Sequence, residues 1–410
     1  MQPLESVAGF EDLQKQMRKN RGVIEVTGTV PSEQAHLTAG LAREYNRILI
    51  VAENELKARD FYEDFRLYDK DVFLYPARDM IFYQAEIAGN QTTRQRIQVI
   101  KALMERKDVS VITSTGGCLD YLLPFHVLKN SRIRISNEDE LNLTELSRKL
   151  AAIGYERTVE VEVPGQFAVR GGIIDVFSLP EELPWRIELW GDEVDSIRSF
   201  DPDSQRSIEN LTEVTIYPAT EEIGKEEPGF AGRLTDTLPE YFAPEEPLFL
   251  LEPVRILEAA QALSDEYRMS MQHRLEKGVI DEADTRRMMT PELLVYLLNR
   301  RNCVGLSMMQ TGSGYDRTGQ YSVEVRAVNP YNNQFPMLVR DLKRWKRNNY
   351  TAVLLSASHT RAKRLADELQ AEELNAFYSE DPERVLAPGE IMVMYGNVRQ
   401  GLNIRCSGLY

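Results

Sequence analysis

The residues best placed to do chemistry lie in the first turn of an α/β pattern. The apolar run Val23-Ile24-Glu25-Val26-Thr27 leads into Gly28-Thr29-Val30-Pro31-Ser32-Glu33-Gln34-Ala35. A parallel sheet offers backbone N–H groups and a helix N-terminus to phosphate at this place. A phosphate-binding loop there reads G-x-x-x-x-G-K-[ST]. Gly28 matches the first glycine. Glu33 stands at the second glycine, Gln34 at the lysine that neutralises the β- and γ-phosphates, and Ala35 at the hydroxyl that holds Mg²⁺. A glutamate carboxylate in this loop is expected to repel phosphate. The second acidic element of such a site, an apolar strand ending in Asp-Glu, is altered as well. Here Leu248-Phe249-Leu250-Leu251-Glu252-Pro253 puts Leu251 at the metal-holding aspartate and keeps only Glu252. The expectation is an ATPase-shaped domain without ATPase chemistry: no hydrolysis, and neither ATP nor Mg²⁺ as cofactor.

Other reactive side chains do not cluster. Cys118, Cys303 and Cys406 are far apart and odd in number, which fits neither a disulfide framework nor a CxxC metal site. His36, His126, His273 and His359 are equally scattered, so no metal is expected. A reducing cytoplasm suits this cysteine usage, and no secretory signal or span of about 20 apolar residues is visible. Net charge is −15, which argues against a chain whose main task is gripping nucleic acid through phosphates. One basic run, Arg340, Lys343, Arg344, Lys346 and Arg347 with Trp345, could touch nucleic acid, but a solvated helix face is the simpler reading. Binding of another protein is the better default.

The elements that must position these residues fall into an ordered series. Strands at Val23–Thr27, Arg47–Ala52, Asp71–Pro76 and Val109–Thr113 alternate with helices at Ser32–Tyr45, Leu56–Leu67 and Thr92–Met104. That alternation predicts a parallel sheet covered on both faces. Thr113-Ser114-Thr115 reads as a helix-start signal. After Pro124 the pattern changes. A helix over Glu138–Ala152 ends at Gly154, a left-handed cap. Strands then follow one another at Thr158–Val163, Gln166–Arg170, Ile173–Phe177, Trp185–Trp190 and Val194–Phe200, with glycine turns at Gly171-Gly172 and Gly191. A strand at Pro247–Leu251 and helices at Val254–Gly278 and Pro291–Asn299 return to the first domain. A linker around Asn329-Pro330-Tyr331-Asn332-Asn333 precedes a last unit: helix Met337–Arg347, strand Ala352–Ser356, helix Arg361–Leu369 and strand Ile391–Tyr395.

The fold class expected is therefore α/β. It comprises a parallel-sheet, P-loop-like domain with a degenerate nucleotide site (1–124 and 216–328), an inserted α+β domain with an antiparallel sheet (125–215), and a small α/β domain (329–410). The sequence stops at Cys406-Ser407-Gly408-Leu409-Tyr410, where another strand would be finishing, so a longer protein is expected.

The stretch Val161-Glu162-Val163-Pro164-Gly165-Gln166-Phe167-Ala168-Val169-Arg170-Gly171-Gly172-Ile173-Ile174-Asp175-Val176-Phe177, continued by Pro184-Trp185-Arg186-Ile187-Glu188-Leu189-Trp190-Gly191-Asp192, resembles a domain shared by the repair helicase UvrB and the transcription-repair coupling factors. The following Gln205-Arg206-Ser207-Ile208 and the degenerate loop resemble the coupling factors more. UvrB also carries a tyrosine-rich DNA-clamping hairpin, and the passage from Tyr75-Pro76-Ala77 to Tyr83-Gln84-Ala85-Glu86 leaves no room for it.

The resemblance implies a non-catalytic module that recruits UvrA to stalled RNA polymerase in transcription-coupled repair. It implies that Arg170, Arg186 and Trp190 bind UvrA, with Trp190 where the family often has phenylalanine. RNA polymerase, DNA, ATP and Mg²⁺ would be engaged by parts of a longer protein outside this sequence, and a motor half would mask the UvrA surface until polymerase is engaged. The module is expected to be a monomer. From residue types alone the arginines fit two readings: docking to partner carboxylates, or pairing with local acids such as Glu188 or Asp192, with Trp190 in the core. The resemblance favours docking. Competing expectations are a UvrB-like ATP-dependent damage-verification helicase, which needs an intact loop and a hairpin, and a scaffold for the motor.

Overall fold

In the computed structural model, residues 9–78 and 89–278 are described, and so is the chain from there to 404 except for 279, 281, 283–284, 311, 313, 324, 329–330, 332–333, 382–383 and 397–400. The segment Tyr83–Glu86, most of the expected linker at 329–333, and Cys406–Tyr410 thus lie outside the described residues.

Seven strands form one all-parallel sheet. They are β1 (Gly22–Thr27), β2 (Arg47–Ala52), β3 (Val72–Tyr75), β4 (Val109–Ser114) and, after a long excursion, β13 (Leu248–Leu251), β14 (Asn302–Ser307) and β15 (Arg317–Ser322), in the order β15-β1-β14-β13-β2-β4-β3. Alternate residues of each central strand point to opposite faces. Leu49, Val51, Leu248 and Leu250 enter one core, while Ile48, Ile50, Phe249 and Leu251 enter the other. Two buried faces explain why these strands read as continuous apolar runs. Helices Gly89–Glu105, Pro253–Glu276 and Pro291–Leu298 supply the first core. Helices Phe10–Met17, Pro31–Ala42 and Glu55–Phe65 supply the second. The helix-start signal after β4 is realised: the Ser114 hydroxyl accepts from Gly117 N and caps helix Thr115–Leu119.

Between β4 and β13 the chain builds a second unit. β5 (Ile133–Ser136) pairs with β12 (Glu213–Ile216). A six-stranded sheet runs in the order β11-β10-β9-β8-β7-β6, from β6 (Glu156–Arg157), β7 (Gln166–Arg170), β8 (Ile173–Val176), β9 (Trp185–Trp190), β10 (Glu193–Phe200) and β11 (Ser207–Leu211). It is antiparallel except for the β6–β7 pair. Its inner face, with Phe167, Ile174 and Ile187, packs on Leu146 and Leu150 of helix Leu143–Ala152.

Two expectations in this unit are corrected. Thr158–Val163 is not a strand. Val161 is buried, but Val159 is 88% exposed, and local side-chain bonds replace the ladder: Thr158 Oγ1 donates to Glu160 O, and Gln166 Oε1 accepts from Glu162 N and Val163 N. The helix expected over Glu138–Ala152 starts later, behind the Asn142 cap, because residues 139–141 pair with the β9–β10 turn instead.

A buried ion cluster holds the chain where it returns from the second unit. Arg96, wholly buried, donates to Asp120 Oδ2 (2.8 Å), Glu221 Oε2 and the Pro76 carbonyl. Tyr75 Oη donates to Glu221 Oε1 at 2.7 Å, and Arg78 reaches Asp120, Glu221 and Glu222. Burial raises the Glu221 pKa, but the Arg78 and Arg96 guanidiniums outweigh it and pull it down to about 2.

The remaining elements are a ribbon of β16 (Val325–Val328) with β20 (Gly401–Ile404), and a three-stranded parallel sheet. That sheet comprises β17 (Ala352–Ser356), β18 (Asn375–Tyr378) and β19 (Glu390–Tyr395), with β19 central. Helices Phe335–Arg347 and His359–Ala371 share one core with this sheet. No helix among the described residues is long and apolar enough to cross a membrane.

Candidate functional site

Two places carry the residues singled out from sequence, and the fold treats them oppositely. The first βα turn is closed. Gly28 sits at φ +83°, and a Cβ there would lie 2.2 Å from the Val323 carbonyl oxygen, so the chain leaving β15 crosses where phosphate would enter. Three backbone donors of the turn are already used: Thr29 N donates to Ser307 O (3.1 Å), and Glu33 N and Gln34 N both donate to Val30 O (2.9 Å). Gln34 Nε2 spans to Glu252 Oε1 (3.2 Å) and Thr29 Oγ1 (3.2 Å). Glu252, itself in the left-handed region at φ 56°, also accepts from Met308 N (2.9 Å). Ala35 and Leu251 are buried in apolar packing.

One expectation about this turn is overturned. Glu33 does not face the loop as a charged carboxylate. It is 1% exposed, and burial pushes its pKa up to about 8, a hydrogen bond with the Val30 backbone offsetting only part of that. At neutral pH the group is mostly protonated, so closure of the loop, not charge repulsion, opposes phosphate there.

The second place is open. The outer face of the six-stranded sheet carries residues that alternate with its core-facing ones. The register sets Asp175 on β8 opposite Arg186 on β9, and Arg186 opposite Arg198 on β10. Asp175 is 1% exposed and holds two guanidiniums: Arg186 Nε at 2.8 Å and Nη2 at 2.9 Å, and Arg170 Nη2 at 2.5 Å. Arg186 also donates to Gln205 Oε1 (2.8 Å) and lies over the Phe200 ring, 4.4 Å from its centroid. Glu188 pairs with Arg198 and accepts from Ser196. Trp190, at the end of the same alternating row as Arg186 and Glu188, is 82% exposed.

The structure thus brings Arg170 and Arg186 together and places Trp190 at the surface rather than in the core. The arginines do pair with a local acid, but it is Asp175, not Glu188 or Asp192. Asp175 was missed because its partners come from two neighbouring strands. The available signal was its position in β8, where a carboxylate interrupts an apolar run next to two arginine-bearing strands.

Other candidates stay ordinary. Among the described residues no group of His, Cys, Asp and Glu could hold a metal. Cys118 and Cys303 are buried, and burial pushes both thiols up to about 12. On the basic helix Arg340 and Arg344 are largely exposed, Lys343 pairs with Glu372, and Lys346 donates to Glu373 O. Trp345 packs on the core beneath them.

Residues 133–221 match the family model described as the UvrB interaction domain. They run from β5 to the Glu221 carboxylate of the ion cluster and contain the whole outer face. The chain is 27% identical over 434 aligned residues to the transcription-repair-coupling factor of Bacillus subtilis (strain 168), a match covering 92% of this chain and 37% of that protein. It is 33% identical to the transcription-repair-coupling factor of Staphylococcus haemolyticus (strain JCSC1435), over 48% of this chain and 17% of the relative. With that of Staphylococcus aureus (strain MRSA252) the figures are 34%, 49% and 18%. The chain therefore spans well under half the length of the curated relatives it matches. With a match to the UvrB interaction domain model at 133–221 and similarity along 92% of its length to one such protein, this chain is similar to part of the transcription-repair-coupling factors.

Proposed function

We propose that this chain is a non-catalytic docking module that binds UvrA through the outer face of the six-stranded sheet, and that it serves transcription-coupled nucleotide excision repair. The observation that carries the reading is the constellation on that face. Two arginines are organised on one buried carboxylate beside a tryptophan that is 82% exposed, all within the segment matched to the UvrB interaction domain. Arginine and tryptophan on a rigid face are the residue types that dominate binding energy at interfaces. Trp190, at the end of the row that carries Arg186, offers a partner an aromatic anchor beside the two organised guanidiniums.

RNA polymerase, DNA and ATP-driven movement belong in this proposal to other parts of a longer protein. The closed turn supports the non-catalytic part of the reading, since Thr29 N, Glu33 N and Gln34 N donate to protein carbonyls and the Gln34 amide donates to Glu252.

Titration of the chain against UvrA tests the docking. Arg170→Ala should weaken binding by about tenfold or more while leaving the melting curve nearly unchanged. Undiminished affinity would refute the assignment of this face. Calorimetry with Mg²⁺-ATP tests the second half: no heat of binding is expected, and stoichiometric binding would show that the turn opens.

A further inference from the structure

The two arginines of the docking face are built differently. Arg186 is 15% exposed at the side chain and Arg170 is 43% exposed. Arg186 commits Nε and Nη2 to the two oxygens of Asp175, gives Nη2 also to Gln205, and rests on the Phe200 ring. The turn that supplies Gln205 is itself shaped for this. Gln205 adopts φ 59°, a conformation that non-glycine residues rarely take, and its amide donates to Pro202 O (2.8 Å) while its carbonyl oxygen receives Arg186. Arg170 touches the same carboxylate through Nη2, from the end of β7 beside the Gly171-Gly172 turn. One carboxylate against two guanidiniums leaves one net positive charge, and the more accessible carrier is Arg170.

We propose that Arg170 is the residue that meets a carboxylate of the partner, while Arg186 and Asp175 are positioning residues that act through it. Asp175 fixes the Arg170 guanidinium in place. Arg186, clamped by Gln205 and Phe200, fixes Asp175. This rests on the docking reading above. A guanidinium already held by one carboxylate loses little rotamer freedom when a second arrives, so the support raises affinity without touching the partner.

A double-mutant cycle on the whole 410-residue chain tests it, with the dissociation constant for UvrA as the readout and thermal melting as the control. Arg170→Ala and Arg186→Ala should each weaken binding. The double variant should bind no more weakly than Arg170→Ala alone, because Arg186 has no route to the partner once Arg170 is gone. Arg186→Lys keeps the charge but cannot span both oxygens of Asp175, so it should weaken binding as much as Arg186→Ala does.

Gln205→Ala provides a milder arm. It loosens Arg186 without leaving a buried charge unpaired, and should weaken binding in the parent background and not in the Arg170→Ala background. Additive losses, or retention of affinity by Arg186→Lys, would show that Arg186 contacts the partner itself and would overturn the division of roles. If the parent chain fails to bind UvrA, or Arg170→Ala and Trp190→Ala both leave affinity unchanged, the docking reading fails first and takes this proposal with it. A purely structural role would lower the melting temperature and leave the cycle additive.

Discussion

At the scale of single residues, the molecule separates charges that stay from charges that are suppressed. Asp175 is buried but paired with two guanidiniums. Glu33 and His36 share one helix and are both buried, and burial drives each toward its neutral form, Glu33 up to about 8 and His36 down to about 4. The sign of the Glu33 effect follows from linkage. Its folded value lies above its ordinary 4.5, so the folded chain holds a proton that the unfolded chain releases. The contribution is fully favourable below about 4.5 and is lost as pH rises toward about 8. Glu33→Gln should therefore stabilise the chain at pH 8, by ~2 kcal/mol, and by much less at pH 5. Denaturant melts at the two pH values check this; equal gains at both would show that Glu33 is charged in the fold.

Elements explain why the turn after β1 is closed. Helix Pro31–Ala42 is buried from Ser32 to Leu41, so its polar side chains must bond within the protein or go neutral. Gln34 does the first and Glu33 the second. The turn before the helix fits only because residue 28 has no side chain and tolerates a positive φ. Gly28→Ala adds both backbone strain and a clash with the Val323 carbonyl, a backbone atom that cannot swing aside. It should cost roughly 2–4 kcal/mol, visible as a lower urea midpoint. A neutral result would mean that the segment after β15 can lift off the turn.

For the whole molecule, the question is how the chain is anchored where it returns from the six-stranded sheet to the parallel-sheet unit. The Tyr75–Arg78–Arg96–Asp120–Glu221 cluster ties Glu221, just past the second unit, to β3, helix Gly89–Glu105 and the segment after helix Thr115–Leu119. Removing one charge from such a cluster strands its partners out of water. Glu221→Gln should destabilise by about 3–5 kcal/mol. The pH dependence runs opposite to that of Glu33. The Glu221 pKa of about 2 lies below its ordinary 4.5, so its contribution is present above about 4.5 and lost as pH falls toward about 2. The parent should lose stability through that acid window more steeply than Glu221→Gln. Parallel acid limbs for the two proteins would rule out a charged Glu221.

The sequence by itself determined the strands of the parallel sheet that are almost wholly apolar, such as β2 and β13, because burial on both faces favours that composition. It also shows Glu33, Gln34 and Ala35 where a phosphate-binding loop carries glycine, lysine and a hydroxyl. It did not disclose β15, whose Arg-Thr-Gly-Gln-Tyr-Ser carries no apolar run because it is an edge strand with only β1 beside it. Nor did it disclose the state of Glu33 or the partner of the two arginines. Burial depth and cross-strand register decide those. Both come from contacts between residues far apart in the chain, so only the tertiary structure could pair Asp175 with Arg186 and turn Glu33 into a neutral group.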